Sequence, residues 1–420
     1  MSSTNVDLKN VQGDIIIGLQ KRVEAFWFGS LKTDGKSIEG FRKNLKSSIL
    51  PLITSTQEVI DTQKKIDDHK RLNQKSDGST KELLPITQLN LGFSFTGLKK
   101  LGLKVEEIPS GANGIFSKGQ KVDAVDNLGD PVDQTTKKLK TWSQDFRSEA
   151  SSIDFVILVT APDHTLLGQR LDQIRKNLDG FLSTSFVRQG AVRPGNQSGH
   201  EHFGFLDGIS APAIEGINSQ PGDKKSGIVK PDVIYSVNLL PVRLIQTKLG
   251  LKMARFWRAP LTLTPVQDKP ELNRAQDFDY SDELNQERCP YAAHIRKTNP
   301  RPELTDEEKK SKKTKENRGL LFVSYQSKIE SGFQFVQKFW CNNTDFPSKT
   351  PAKVTPGFDL LIGQTSDEKP RVAQNINPLG IAGTTDPNNV LTAPEHFIIP
   401  LGGEYFLMPS IKAIKEKLSL

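Results

Sequence analysis

The chain reads as an α+β protein, with helices laid on one face of an antiparallel sheet. Two stretches carry that reading. DFVILVTAPD, Asp154 to Asp163, is the clearest buried strand, and His164 to Leu182 follows it with apolar residues at helical spacing. LNLGFSFTGLKKLGL, Leu89 to Leu103, passes from a strand pattern into a short helix. The resulting order is strand, helix, strand, then strand and helix, which suits a sheet covered on one side.

Taken in order, DIIIGLQKRVEAFWFGSL (Asp14 to Leu31) joins a short apolar run to alternating aromatics and predicts a strand. Ser37 to Leu52 has helical spacing, and Pro51 ends it. Glu58 to Lys81 is very polar and predicts a surface excursion. The strand from Leu89 is expected to turn at Gly97, and Asp163 to cap the helix that follows it. In the second half, Asp232 to Trp257 is strand-like but interrupted by Pro241. RGLLFVSYQ, Arg318 to Gln326, predicts a buried strand. Ser331 to Trp340 predicts a helix with Phe333, Val336, Phe339 and Trp340 near one side. Phe397 to Ile411 predicts strand, Gly-Gly turn and strand. No repeat with a short solenoid period is visible.

A chain of 420 residues can bury a large core and is long enough for two or three domains. With 35% hydrophobic and 25% charged residues it has the composition of a soluble globular protein, and no apolar run approaches a membrane span. The opening MSSTNVDLKNVQGD lacks a signal-peptide pattern, so the location is intracellular or a leader has been removed or is unrecognised. Two cysteines, Cys289 and Cys341, exclude a disulfide framework and leave one bridge open. The net charge is +8, but the basic residues do not interleave with aromatics, which argues against a nucleic-acid partner. The block KKSKKTK, Lys309 to Lys315, follows Asp306, Glu307 and Glu308 and reads as a solvated loop or insert.

Chemistry-bearing residues are few. None of the six histidines has zincin spacing, and neither G-x-S-x-G nor a P-loop occurs. In HEHFGFLDGIS, Asp207 stands between apolar neighbours and a glycine, either as a turn residue or as a catalytic carboxylate. In CPYAAHIRKTNPR, small residues precede His294 and would let a flat ligand approach, while Arg296, Lys297 and Arg301 would suit its carboxylates. A satisfied core histidine is the other reading.

Several of these pieces resemble the fungal type of dye-decolorizing peroxidase, in family order along most of the chain. They are NVQGDIIIGLQKR, LNLGFSFTGLKKLGL, GHEHFGFLDGIS with its G-x-x-D-G signature, ARFWRAPLTLTP, CPYAAHIRKTNPR, NRGLLFVSYQ, PGFDLLIGQ and GGEYFLMPSI. The resemblance implies two ferredoxin-like modules, 1–215 and 216–420, with b-type haem between them. It implies His294 as proximal iron ligand and Asp359 as the carboxylate that orients it. It makes Asp207 the distal acid–base residue acting on hydrogen peroxide. It places Leu320 and Phe322 in the haem pocket. Trp340 matches a surface electron-transfer position, with core packing as its alternative. The implied reaction is one-electron oxidation of dyes, phenols and similar bulky aromatics. The implied location is extracellular, against a cytoplasmic alternative from the N-terminus.

Two segments depart from the family pattern. Between Arg301 and Arg318 the sequence PELTDEEKKSKKTKEN holds no arginine, so the family's distal arginine has no match. The stretch Pro231 to Met253 is short and lacks the family's glycine-serine-phenylalanine strand. The second module is therefore expected to be incomplete. The missing cation leaves a second reading, a haem-binding protein with weak or no peroxidase activity.

Overall fold

The computed structural model describes residues 6–73, 83–109, 111–148, 152–192, 217, 328–344, 359–360, 362–374 and 390–420, together with the strand segments 213–214, 228–229, 238–247, 292–298 and 319–326. Eight strands form one sheet: β1 (Val23–Leu31), β2 (Gln88–Phe93), β3 (Phe155–Ala161), β4 (Leu182–Ala191), β5 (Asn238–Thr247), β6 (Ala292–Thr298), β7 (Gly319–Tyr325) and β8 (Ile398–Met408). Their order is β4-β1-β3-β2-β8-β5-β7-β6, and every neighbouring pair is antiparallel. Each half of the chain thus supplies four strands in one order: fourth, first, third, second. In the first half, helices α2 (Gly35–Asn44) and α3 (Thr56–Asn73) link β1 to β2, and α7 (His164–Leu178) links β3 to β4. That is the ferredoxin-like arrangement. The outer strands β4 and β6 approach each other, so the sheet curls toward a barrel.

The sheet has an apolar cluster on each face. One holds Ala25, Trp27, Leu91, Phe155 and Ile157 beneath Phe41 of α2 and Leu171 of α7. The other holds Phe26, Phe28, Val156, Leu158, Val323 and Phe406. Period-two alternation along β1 and β3 divides their residues between these two cores. The buried strand at Asp154–Asp163 is β3, and Asp163 caps α7 by accepting from Leu166 N at 2.9 Å.

Several expectations are corrected. The strand predicted from Asp14 begins only at Val23. Gly13–Ile16 is instead a helical turn, α1, with Asp14 Oδ1 accepting from Leu19 N and Gly18 in the left-handed region at φ +90°. The polar run is helical from Glu58 to Asn73, within the 18-residue helix α3, and residues 74–81 lie outside the described residues. Ser55 and Glu58 form its capping box: Ser55 N donates to Glu58 Oε2 at 2.7 Å, and Glu58 N to Ser55 Oγ at 3.3 Å. The turn after β2 is at Ser94, which caps α4 (Phe95–Lys100) by accepting from Gly97 N. Gly97 sits inside that helix, where a Cβ would fall 1.9 Å from the Asp154 carbonyl oxygen. Strand β4, which no sequence pattern announced, is largely exposed at the sheet margin.

Pro241 does not interrupt β5. The β7 ladder starts only at Val242, so at Pro241 the strand is paired on the β8 side alone, where a residue without an N–H is tolerated. Phe397–Ile411 is one continuous strand followed by a cap, not two strands and a turn. Its register shifts between Pro400 and Gly402, and Gly402 takes φ +142° where a Cβ would strike the Phe146 ring at 2.4 Å. The predicted helix at Ser331 starts at Phe333, as α8 (Phe333–Phe335), and continues as a π-helical turn over Val336–Cys341. Among the described residues, no helix is long and apolar enough to cross a membrane.

Candidate functional site

Strand β7 organises the candidate site. Within Leu321–Tyr325, Phe322 is the single half-open position, while Leu321 and Val323 on either side are closed. The Phe322 ring meets Phe333 at 5.7 Å between centroids, and Phe333 meets Tyr405 of β8 edge-on at 6.3 Å. These three rings make an aromatic wall on the face opposite Val323. Leu320 precedes Phe322 by two positions on the same strand. On the neighbouring strand, His294 pairs with Val323 and Ile295 with Phe322. The ladder therefore puts positions 294 and 322 on adjacent strands but on opposite faces.

Behind the wall lies a buried polar group. Tyr405 donates its phenol to Asp123 Oδ2 at 2.6 Å. Asp123 lies on α5 (Ile115–Asp126) and is itself buried. Its Oδ1 accepts from Gln334 Nε2 at 2.6 Å and from Asn127 Nδ2 at 2.8 Å. Lys338 donates to Asn127 Oδ1 at 2.9 Å, which fixes that amide with its NH2 toward Asp123. Next to Tyr405, Glu404 Oε1 accepts from Gln120 N and Tyr405 N, and burial pushes its carboxyl up to about 7.

Asp359 is half-buried in a turn. Its N–H donates to the Cys341 carbonyl at 3.0 Å, which brings it beside Trp340, and its Oδ1 accepts from Ile362 N at 2.9 Å. Buried Arg371 donates to the carbonyls of Gly363 (2.7 Å) and Glu395 (2.6 Å). Burial pulls its guanidinium down to about 10, against the attraction of Asp359. Trp340 is half-buried, so its ring is neither sealed in the core nor fully in water. Asp207, Cys289 and residues 301–318 lie outside the described residues, as does the side chain of His294.

Against curated proteins, the chain is 32% identical to the dye-decolorizing peroxidase msp1 of Mycetinis scorodonius, across 100% of this chain and 89% of that protein. The chain belongs to the dye-decolorizing peroxidase family. The description "DyP dimeric alpha+beta barrel domain" matches residues 10–194, the half that holds β1 to β4. The alignment to the Mycetinis enzyme runs over 499 positions, more than the 420 residues here, so that relative carries segments this chain lacks. A solved dye-decolorizing peroxidase from Pleurotus ostreatus superimposes with a TM-score of 0.76 at 28% identity, covering 99% of this chain and 100% of that one. Another, solved in complex with 2,6-dimethoxyphenol, gives 0.70 at 29%, with the same coverage.

Membership makes the chain a peroxidase and implies a haem cofactor. Half-open Phe322 offers a flat apolar ring system an aromatic surface, but position 294 lies on the other face of the sheet, so the wall alone does not bring that surface and the histidine to one group. Sequence reasoning singled out Phe322 but missed Asp123, Tyr405 and Arg371. Asp123 and Tyr405 lie 282 positions apart, and no spacing rule connects them. The alternation in GGEYFLM was the one available sign that Tyr405 points inward.

Proposed function

We propose that this chain uses hydrogen peroxide to oxidise dyes, phenols and similar bulky aromatic compounds by one-electron steps, with b-type haem as cofactor. The observation that carries the reading is the 32% identity to a dye-decolorizing peroxidase over the whole chain. Full-length likeness to peroxidases favours an enzyme over a haem-binding protein without turnover. When bound, the haem supplies an iron centre that accepts two electrons from protein and substrate for each peroxide reduced.

The roles of this chain's residues follow their motifs. His294 is the proximal ligand, and what supports it is the CPYAAHIRKTNPR motif. Asp359 is the carboxylate that would orient the ring, tied to its own turn through Ile362 N. Leu320 and Phe322 are assigned to an apolar, water-excluding pocket by their motif, whereas the ladder puts position 322 on the face opposite position 294. Asp207 takes a proton from peroxide and returns it to the departing water. The interval between Arg301 and Arg318, where the family pattern has its distal arginine, holds no arginine. Trp340, half-open beside Asp359, passes electrons from substrates too large to enter. The division into modules at 1–215 and 216–420 and an extracellular location belong to the same reading.

Purified protein reconstituted with hemin should gain a Soret band, change its spectrum on adding peroxide, and oxidise an anthraquinone dye. Asp207→Asn should keep the Soret band and lose turnover. A reconstituted protein with no peroxide-dependent spectral change sinks the proposal.

A further inference from the structure

Asn342, Asn343 and Thr344 form an N-x-T sequence, the acceptor pattern for N-linked sugars. Such a tripeptide arises by chance in many chains, and where it is used it stands on an open surface. Here its asparagine is half-buried and joins three segments of the fold. Nδ2 donates to the Leu128 carbonyl at 2.8 Å, in the loop that follows α5. Oδ1 accepts from Gln364 N at 2.8 Å and from Gln337 Nε2 at 3.0 Å. Gln337 also reaches the Ile362 carbonyl at 3.2 Å, and Asp359 N bonds the carbonyl of Cys341, the neighbour of Asn342. The turn from Asp359 to Gln364 is thus hooked at both ends by consecutive residues, and one side-chain amide ties it to the first half of the chain.

We propose that N-glycosylation of Asn342 and folding of this chain exclude one another, so that native protein made through a glycosylating secretory route is the fraction left bare at Asn342. Neither haem nor peroxide is involved. Two features carry the inference. First, the nitrogen that a sugar would need is enclosed. It is bonded to Leu128 O, and on Gly129 even a Cβ would lie 2.9 Å from it. A methyl group would already collide there, and a sugar ring is several times larger. Second, leaving the junction is costly. A side chain swung outward breaks three hydrogen bonds and takes this partner from both Leu128 O and Gln364 N. A polar group left unmet inside the fold costs more than its bond contributes. The same swing unhooks Gln364, whose side chain holds the Ile398 carbonyl at the start of β8 at 3.0 Å.

The competing step is a glycosyl transfer from a lipid-linked oligosaccharide diphosphate of the host cell. The donor's sugar C1–O bond breaks, a C1–N bond forms at Nδ2, Nδ2 gives up one proton, and the lipid diphosphate leaves. Ile362, Gln364 and Ile398 follow Asn342 in the chain, so the junction closes only after they have been made. Sugar and fold therefore compete for one nitrogen.

The test makes the full chain behind a secretion leader in yeast, and without one in the bacterial cytosol, where no such sugar is attached. Ser198→Ala is present throughout to silence a second acceptor sequence, Asn196-Gln197-Ser198, which lies outside the described residues. Peptide mass mapping should find Asn342 bare in the folded monomer and glycosylated in the retained or aggregated fraction. Thr344→Ala removes the acceptor sequence and leaves the junction intact. It should raise the folded yield several-fold in yeast, and leave yield and melting temperature unchanged in bacteria. Thr344→Ser, a poorer acceptor, should fall between parent and Thr344→Ala. In bacteria, Asn342→Ala should melt well below the parent or fail to fold. A folded monomer that carries sugar at Asn342 and melts with the parent overturns the inference. So does a glycan missing from both yeast fractions, a Thr344→Ala yield in yeast no higher than the parent's, or an Asn342→Ala protein as stable as the parent.

Discussion

Replacing Glu404 by glutamine should make the protein more stable at pH 8 than the parent, and not at pH 4.5. Glu404 sits on β8 with Oε1 bonded to two backbone N–H groups, Gln120 at 3.0 Å and Tyr405 at 2.7 Å. Burial is the largest influence on it and raises its carboxyl from 4.5 to about 7, although both N–H groups pull the other way. The folded state therefore binds this proton more tightly than the unfolded state. The stabilisation is complete below pH 4.5 and is lost as pH rises toward 7. At 1.36 kcal/mol per pH unit, the gap corresponds to about 3 kcal/mol. With about 2.1 cal/mol/K of unfolding entropy per residue, a chain of this length unfolding as one unit would shift by about 4 °C. Glutamine keeps an acceptor oxygen for both N–H groups and has no charge to bury. Melting temperatures of the parent and Glu404→Gln, measured from pH 4.5 to 8, should start together and diverge by about that amount, with the variant higher. A difference that stays flat with pH, or a parent that is more stable at pH 8, would refute the reasoning.

Gly97→Ala should lower the melting temperature, because its Cβ meets backbone, the Asp154 carbonyl oxygen at 1.9 Å and carbon at 2.7 Å, and neither can move like a side chain. The expected loss is about 3 kcal/mol or more, at the upper end of overpacking effects, whereas Gly35→Ala, with nothing within 4 Å, should leave stability unchanged. Thermal shift on the purified variants separates the two. Hemin should raise the melting temperature of the parent by linkage, and His294→Ala should abolish both that rise and the Soret band. A His294→Ala protein that keeps both would remove His294 as the ligand.

What was legible in the sequence was what local physics determines. The apolar run of β3, the Asp163 cap and the RGLLF strand each announce themselves within about ten residues, through burial, capping and β-branched content. Helix α3 was legible in principle, since Ser55 and Glu58 have capping-box spacing, but its polar surface masked it. Strand β4 was not legible, because an exposed margin strand lacks the alternation that marks a half-buried one. Gly402 invited the reading of a turn, yet its positive φ serves a register shift and a close approach to Phe146. The site divides in the same way. Asp207 and His294 stood out through motifs, whereas the Asp123–Tyr405 bond joins a helix to the last strand and exists only once the sheet has formed.

The position of β8 decides whether the first half can stand alone. Its Leu407 pairs with Phe93 of β2, and Tyr405 and Leu407 complete one core cluster while Phe406 and Met408 complete the other. Gly92 of β2 has the Met408 sulfur and the Phe406 Cβ within 3.1 Å of where its own Cβ would stand, so the two strands are in intimate contact. A fragment of residues 1–215 would lose all four of these side chains and leave the β2 edge unpaired. Burying a side chain of that size contributes about 1.5–3 kcal/mol, so removing four takes away about as much as the whole net stability of an ordinary domain. The fragment should therefore fail to give a cooperative transition and should aggregate through the open edge. Addition of a peptide spanning residues 390–420 should recover part of the transition. A 1–215 fragment that is monomeric, and melts cooperatively near the temperature of the full chain, would show instead that the ferredoxin-like half is a self-sufficient domain.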